Sequence, residues 1–331
     1  MKRKKNIIVI KFGGSSLADP GRIRRAAASV LDARRRGRLP VAVVSAPADV
    51  TDDLLKLAAL TAGSGLPPRE TDALLASGEQ ISAALTAMAI EAEGGRAVSL
   101  TGAQAGLRTD PAFGAAAVRA VDARRLRREL AAGRIPVVAG FQGVSSSGDT
   151  TTLGRGGSDF TAVALARALG AELCEFRTDV KGVYTAHPAI VPEARLIGRI
   201  SYAEVTALAE LGTEVRQLRA VKYAARHAVP LRLRSSFHDA PGTLVTAAGA
   251  GAGPSCLSLR KDGRTAFAAV IGRELDLPAV RKKALAAAAA AGIAVRLSAS
   301  ARDRLVLAAE AGSGDPLLRA LHAAFFGGRG H

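Results

Sequence analysis

Residues 140–159 read GFQGVSSSGDTTTLGRGGSD and run directly into the helical pattern FTAVALARALGA, which ends at Ala171. Glycines allow a backbone to approach a ligand closely, and the N–H groups at the start of a helix favour an anion. Arg155 lies inside this turn and can hold a carboxylate through two parallel hydrogen bonds. Asp159 suits the first helical turn. Together these residues indicate an anion site at the start of a helix.

A second glycine turn lies near the beginning of the chain, where KFGGSS spans residues 11–16 after the strand pattern NIIVIK at 6–11. Gly13 and Gly14 let the backbone approach a phosphate, and Lys11 supplies a cation at the strand end. An ordinary strand-to-helix turn has the same pattern. By itself, the turn is only a weak indication of a phosphate site. It supports such a site only in combination with the segment at 140–159.

Short β-branched runs alternate with longer helical patterns through most of the chain, beginning with a strand at 6–11, a helix at 22–36 and a strand at 40–45. Further strands are predicted at 97–100, 135–139, 172–176 and 230–234. This alternation predicts an α/β fold whose mainly parallel sheet is sandwiched by helices. Such sheets bind ligands beyond the carboxyl ends of their strands, where both glycine turns fall.

The composition changes at residues 247–254, which read AAGAGAGP and are too poor in large apolar side chains to form core. We place a linker there, between a domain at 1–246 and a second at 255–331. The patterns in the second domain follow the order β-α-β-β-α, starting with TAFAAVIG and ending with DPLLRALHAAFF. A small α+β domain is expected.

The chain carries 46 lysines and arginines against 29 acidic residues, a net charge of +17. Such a charge is compatible with nucleic-acid binding. The arginines recur on amphipathic helical patterns, however, and aromatic residues make up only 4% of the chain, so solvated helix faces and an anionic substrate are the preferred interpretation. No apolar run reaches the length of a membrane span. We expect a soluble cytoplasmic protein that binds neither nucleic acid nor membrane.

Six motifs occur in the order and approximate spacing found in aspartokinases, a branch of the amino-acid kinase family. They are KFGGSS, SAPADVTDDL, SGEQISAAL, the segment at 140–159 with its helix, TDVKGVYTAHP and VPLRLRSSFHDAPGTLV. The sequence resembles this family over roughly residues 7–245. The long GRGGSD block makes the resemblance specific.

The resemblance implies transfer of the γ-phosphoryl group of ATP, with Mg²⁺, to the side-chain carboxylate of L-aspartate, in the biosynthesis of lysine and threonine. It assigns catalysis to Lys11 and Asp159. The implied substrate-binding residues are Ser45, Glu79, Arg155, Gly156, Gly157 and Ser158. The implied nucleotide-binding residues are Lys11, Phe12, Gly13, Gly14, Ser158, Thr178, Asp179 and Tyr184. No side chain is predicted to bind a metal directly.

Individual roles follow from the same resemblance. Lys11 would lie between the ATP phosphates and the attacked carboxylate, and Asp159 would position Lys11. Ser45 would face the reacting groups. Glu79 would bind the α-amino group of the substrate, and Arg155 would hold its carboxylate.

The nucleotide side departs from the family pattern. Lys181 and His187 stand where aspartokinases have aspartates, Ala189 replaces an arginine, and Glu214 replaces a lysine. Either neighbouring cations such as Lys181, Arg216 or Arg219 contact the phosphates instead, or the nucleotide site has decayed and the protein is a regulatory amino-acid-binding relative. The substrate side is intact, which favours an active enzyme. A kinase of another acidic substrate is a further alternative.

The C-terminal region resembles an ACT domain, the small unit that often binds effector amino acids in aspartokinases. From Pro254 to His331 there is room for one such unit rather than the usual two. Feedback inhibition by lysine or threonine is therefore in doubt. A single unit could still pair between two copies of the chain, so a homodimer is expected.

Replacing Glu214 by lysine distinguishes the two explanations for the nucleotide side. A glutamate about 5 Å from the phosphates opposes their binding by roughly 3 kcal/mol before screening. If the site has decayed, Glu214→Lys will tighten MgATP binding in a calorimetric titration. If a neighbouring cation pairs with Glu214 in a rewired site, the same variant will weaken MgATP binding, because that cation loses its partner.

Overall fold

A computed structural model of the chain describes residues 6–211 and 218–328. These residues divide by their contacts into two compact units. The first contains the residues up to 180 together with 229–240, and the second contains 181–228 together with the residues from 241 onward. The second unit thus includes residues 181–228 and 241–246, which the sequence predicts to belong to the larger domain at 1–246.

The described residues form nine α-helices and sixteen β-strands. The helices are α1 (Pro20–Arg35), α2 (Val50–Ala62), α3 (Pro68–Ala92), α4 (Arg124–Ala131), α5 (Gly157–Leu169), α6 (Tyr202–Glu210), α7 (Leu218–His227), α8 (Leu277–Ala290) and α9 (Gly314–Phe326). The first eight strands are β1 (Ile7–Phe12), β2 (Leu39–Val44), β3 (Ala97–Leu100), β4 (Leu107–Thr109), β5 (Val118–Val121), β6 (Ile135–Ala139), β7 (Gln142–Val144) and β8 (Thr150–Thr152). The others are β9 (Leu173–Thr178), β10 (Arg199–Ser201), β11 (Leu231–Ser235), β12 (Thr243–Thr246), β13 (Gly253–Asp262), β14 (Thr265–Arg273), β15 (Arg296–Ala301) and β16 (Arg304–Glu310).

The first unit is built on six parallel strands in the order β11-β9-β1-β2-β6-β3. Helices α1 and α3 pack on one face, where Ile8, Ile10 and Phe12 of β1 join their apolar side chains in one core. Helix α5 packs against β1, β2 and β9. Because successive strand residues point to opposite faces, Lys11 lies on the face opposite Phe12. The α/β sandwich predicted from the sequence is confirmed.

The six strands predicted in residues 1–246 agree with the observed ones to within two residues. Every residue of β1, IIVIKF, is buried. A strand covered on both faces reads as a continuous apolar run rather than an alternating one. Lys11 is the exception within this run, and its burial therefore requires a specific partner.

A smaller four-stranded sheet, in the order β5-β4-β7-β8, completes the first unit. Asp72 of α3 is 1% exposed and fixes this sheet to the helix. Its carboxylate accepts hydrogen bonds from the N–H of Gly114 at 3.0 Å and from the N–H and hydroxyl of Thr152 at 2.6 and 2.7 Å. Asp72 thus anchors the helix that also carries Glu79, two turns further on.

The second unit contains the parallel pair β10–β12 and an antiparallel sheet in the order β13-β14-β16-β15. Helices α8 and α9 contribute to a shared core with β14 and β16. The predicted order β-α-β-β-α omitted β13, which begins at Gly253, inside the segment 247–254 that the sequence predicts to be a linker. The flexible composition before it concealed the start of this strand.

Helix α3 is long and apolar enough, by length and composition, to cross a membrane. Half of its most apolar window is nevertheless buried within the fold. Its buried residues include the carboxylates Asp72 and Glu79, both of which accept hydrogen bonds from the protein. Within the described residues, α3 therefore has the features of a core helix.

Replacing Asp72 by alanine should strongly destabilise the protein. The variant leaves the buried N–H and the buried hydroxyl of Thr152 without their acceptor, which costs about 3 kcal/mol of unfolding free energy. Urea unfolding will measure the effect. The matched control is Asp53→Ala, which removes an exposed ion pair with Lys56 and should cost less than about 1 kcal/mol. Equal losses in the two variants would contradict the anchoring role of Asp72.

Candidate functional site

The first glycine turn brings the ends of β1 and β2 together. After β1 the chain forms a single 3-10 turn at Gly14–Ser16. The N–H of Ser45 donates to the carbonyl of Phe12 at 3.2 Å. A Cβ on Gly14 would lie 2.9 Å from the carbonyl oxygen of Ala46, which is too close for any side chain. Gly14 is thus required for the approach of two loops at the carboxyl edge of the sheet.

A buried ion pair joins β1 to α5. Lys11 Nζ lies 2.5 Å from Asp159 Oδ1, and the two side chains are 6% and 7% exposed. Two such charges are stable in a fold only when they neutralise each other, because each loses most of its hydration. The pair therefore fixes the ammonium of Lys11 at the edge where the glycine turns converge.

Glu79 of α3 lies next to this pair and is 4% exposed. Its Oε1 accepts a hydrogen bond from the N–H of Ala46 at 2.9 Å, whereas its Oε2 is buried without a hydrogen-bond partner. Burial raises the pKa of Glu79 to about 7, and the hydrogen bond from Ala46 and the charge of Lys11 oppose that rise. A buried carboxyl with one unpartnered oxygen is suited to binding a cationic group.

The second glycine turn leads into α5. Gly156 has φ 80°, a left-handed conformation that favours glycine, and no side chain caps the helix that follows. A Cβ on Gly157 would lie 2.8 Å from the ring of Phe141, and one on Gly140 would lie 2.8 Å from Cβ of Ser158. The glycines therefore allow close packing that leaves the positive end of the α5 dipole open to an anion.

Arg155 stands beside this helix end with an exposed side chain. It forms no ion pair with the residues that the structure describes. Ser158, in contrast, is 7% exposed. The guanidinium is thus available for a carboxylate from outside the protein.

The structure brings most of the predicted substrate and phosphate residues together. The residues that meet at the carboxyl edge of the first unit are Lys11, Phe12, Gly13, Gly14, Ser45, Glu79, Gly156, Gly157, Ser158 and Asp159. The predicted roles of these residues remain predictions.

On the nucleotide side, Thr178 ends β9, and its hydroxyl hydrogen-bonds to the backbone of Val180 at 3.2 and 3.3 Å. Asp179 is exposed. Tyr184 belongs to the second unit, where it forms a β-bridge with Leu196. The predicted contacts of these residues with a nucleotide remain predictions.

Three of the residues that depart from the family pattern are described. Lys181, His187 and Ala189 are all exposed. The ring nitrogen Nδ1 of His187 accepts a hydrogen bond from the N–H of Ala189 at 3.3 Å, the local role that an aspartate often has in a turn. Glu214, like Arg216, lies outside the described residues.

No cluster of three or more His, Cys, Asp or Glu side chains that could hold a metal occurs among residues 6–211 and 218–328. Mg²⁺ in phosphoryl-transfer sites is typically held by one or two carboxylates, waters and the phosphates of the substrate. The site therefore fits a metal that arrives with a nucleotide better than a resident metal.

The sequence did not predict a role for Asp72, because this residue lies in no recognisable motif. Its hydrogen bonds anchor the helix that carries Glu79.

The sheet, the two glycine turns and the lysine–aspartate pair define an α/β fold with a candidate anion-binding site at the carboxyl edge of its strands. A model of the amino acid kinase family matches residues 6–235. The chain therefore belongs to the amino acid kinase family. The resemblance to aspartokinases predicted from its motifs is confirmed by the relatives below.

An aspartokinase of Mycolicibacterium smegmatis is 52% identical over 240 residues, which cover 72% of this chain and 57% of the relative. The chain thus spans only 57% of the length of this relative. E. coli aspartokinase III in complex with aspartate and ADP superposes with a TM-score of 0.80 at 23% identity, covering 97% of this chain and 100% of the other. The same enzyme with lysine and aspartate gives a TM-score of 0.71 at 27% identity, covering 96% and 84%.

Replacing Glu79 by glutamine should change how stability depends on pH. Between about pH 4.5 and pH 7, the Glu79 carboxyl ionises in the unfolded chain but keeps its proton in the folded protein. The free energy of unfolding of the wild type therefore falls as pH rises through this range. Glu79→Gln keeps the hydrogen bond to Ala46 without this ionisation. Relative to the variant, the wild type should lose on the order of 3 kcal/mol across that range. Urea unfolding at several pH values measures this difference, and a difference independent of pH would contradict the raised pKa.

Proposed function

We propose that the protein is an aspartate kinase, which transfers the γ-phosphoryl group of ATP to the side-chain carboxylate of L-aspartate to give 4-phospho-L-aspartate. The observation that carries this proposal is the buried Lys11–Asp159 pair beside Glu79, between two glycine turns at the edge of a parallel sheet. The family match and the aspartokinase relatives support the same reaction. The resemblance to aspartokinases implies the role of each residue, and the charge and burial of these residues are compatible with those roles.

On the substrate side, Glu79 and Arg155 supply complementary charges for an amino acid. The unpartnered Oε2 of Glu79 would accept a hydrogen bond from the α-ammonium group, and Arg155 would bind a carboxylate. Ser45 and Ser158 line the same edge. An ionised side-chain carboxylate is already a nucleophile, so no histidine base is required.

On the phosphate side, the chain supplies positive charge, and no general base is required. Lys11, the N–H group of Gly14 and the positive end of α5 would neutralise charge on the phosphoryl group as it moves. Gly13 would allow close approach of the backbone, since its own N–H donates to the carbonyl of Arg177. Asp159 holds the Lys11 ammonium in place. Mg²⁺ bound with ATP would neutralise phosphate charge, which is its usual contribution to this chemistry. Most of the rate enhancement would then come from the alignment of the two reacting anions, ATP and the carboxylate of the substrate.

The second unit would act as an ACT-like domain that pairs two copies of the chain. All six residues of β15, the edge strand of its antiparallel sheet, are exposed. The opposite edge, β13, is partly covered, since the N–H of Leu257 donates to the carbonyl of Thr185 at 2.7 Å. An open edge strand favours pairing with a second copy. A purely monomeric full-length chain in sedimentation velocity would contradict this part of the proposal.

The direct test is a coupled ADP-release assay with MgATP and a series of amino acids. Aspartate should support turnover, and glutamate and other acids should support little. Equal turnover with another acid would reassign the substrate. No turnover, together with measurable aspartate binding, would favour the regulatory relative instead. A cytoplasmic location is part of the same proposal, because ATP is the phosphoryl donor.

Aspartate affinity should rise with pH, because its ammonium group binds the ionised form of Glu79. With the pKa of Glu79 at about 7, the affinity should increase about tenfold from pH 6 to pH 8 and then level off. Glu79→Gln should bind aspartate weakly with no such rise. Arg155→Ala should also bind weakly but keep the rise, and both variants should retain MgATP binding. Calorimetric titration at several pH values measures these affinities. A wild-type aspartate affinity that does not change with pH would refute the assignment of Glu79.

A further inference from the structure

A cavity of about 270 Å³ lies on the α1 side of the first unit, away from the Lys11–Asp159 pair. Arg177 is in register with Phe12, and Arg234 with Arg177, so these three side chains share one face of the sheet. Lys11, one residue before Phe12, points to the other face. The cavity is therefore separate from the candidate active site, although both lie near the same edge.

Four arginines line this cavity. Arg22 and Arg25 come from α1, and Arg177 and Arg234 come from the ends of β9 and β11. The guanidinium carbons of Arg22 and Arg25 lie 5.1 and 5.7 Å from the centroid of the Phe237 ring. The aromatic ring thus holds both α1 arginines at the cavity wall.

Carboxylates compensate these charges only in part. Glu175 is buried and contacts Arg177, with its other oxygen 4.0 Å from Arg234. Asp19 and Asp239 pair with Arg22 and Arg234, but their side chains are 51% and 103% exposed. Exposed carboxylates are solvated and screened, so they neutralise little of the buried positive charge.

Two further observations show that Arg177 and Arg234, whose side chains are 15% and 19% exposed, lack full compensation. Nε of Arg234 is buried without a hydrogen-bond partner. Burial lowers the pKa of Arg177, and the charge of Arg234 lowers it further, against the opposing effect of Glu175. An additional anion would satisfy the free donor and offset this repulsion.

We propose that this cavity binds a phosphate group, either as the free ion or as part of a small phosphorylated metabolite. Guanidinium groups match the geometry of phosphate oxygens, and a phosphate carries −1.5 to −2 charges at neutral pH. The hydroxyls of Ser16 and Ser236, which hydrogen-bond to each other at 2.7 Å, add polar groups to the same wall. Neither the proposed kinase reaction nor the family match assigns a ligand here.

The cavity wall is connected to the first glycine turn. The N–H of Gly13 donates to the carbonyl of Arg177 at 3.3 Å, and the Arg22 guanidinium donates to the carbonyl of Ser15 at 2.6 Å. Residues that would bind the phosphate thus also hold the backbone beside Lys11. Occupancy of the cavity would restrain this turn.

The test compares Arg25→Glu with Arg24→Glu. Both arginines are exposed neighbours on α1 and the two variants change the net charge equally, but only Arg25 lines the cavity. In calorimetric titrations with inorganic phosphate, Arg25→Glu should lose at least about tenfold in affinity, the effect of losing one charged hydrogen bond. Arg24→Glu should change affinity by less than about twofold, because Arg24 does not line the cavity and solvent screens its charge from the bound ion. Equal losses in the two variants would overturn the proposal.

Hydrogen exchange with and without inorganic phosphate then locates the bound ion. Phosphate should protect peptides that cover residues 22–29 and 234–239. Protection confined to residues 155–161 would overturn the proposal, since it would place the ion at the start of α5. Glycerol 3-phosphate, run in parallel, separates the two sources. Tighter binding than inorganic phosphate indicates a phosphorylated metabolite, and equal or weaker binding indicates the free ion.

Discussion

The ion pair between Lys11 and Asp159 is the constraint on which the rest of the candidate site depends. Lys11 belongs to a strand that is otherwise apolar and buried on both faces, so its charge is tolerated only because Asp159 lies 2.5 Å away. The pair ties the end of β1 to the first turn of α5. The first glycine turn follows β1 and the second leads into α5, so the pair sets the position of both turns relative to the ammonium group.

Glu79 adds a third ionisable group to this buried region, and at neutral pH part of its population keeps the proton. Lys11 and Asp159 neutralise each other, and the pKa of Glu79 rises to about 7 because burial disfavours its charged form. A ligand with an ammonium group would reverse that preference. Binding of an amino acid would then be coupled to the release of a proton, a property that a purely structural glutamate would not have.

Much of this arrangement could be predicted from the sequence, because the alternation of apolar strands and helices specifies a parallel sheet, and Lys11, Glu79 and Asp159 stand in recognisable motifs. Contacts between distant segments could not be predicted. Asp72 finds its partners across 42 and 80 residues, in a loop and a strand that no local pattern connects to α3.

The arginine cavity escaped sequence reasoning for a similar reason. Its side chains come from α1 and from the ends of two strands, and in the sequence each arginine reads as an ordinary solvated charge. Strand β13 was not predicted, because the glycines and alanines before it indicate a flexible linker. In the structure, β13 is held by its antiparallel pairing with β14. In each case the deciding interaction is tertiary rather than local.

If the site phosphorylates a carboxylate, its product is an acyl phosphate, which hydroxylamine can trap. Incubation of the protein with MgATP, L-aspartate and hydroxylamine should yield aspartyl hydroxamate in a 1:1 ratio with the ADP released. Omission of either ATP or aspartate should abolish the hydroxamate. ADP released without hydroxamate would contradict the account, because it would mean that the phosphoryl group passes to water or to another acceptor.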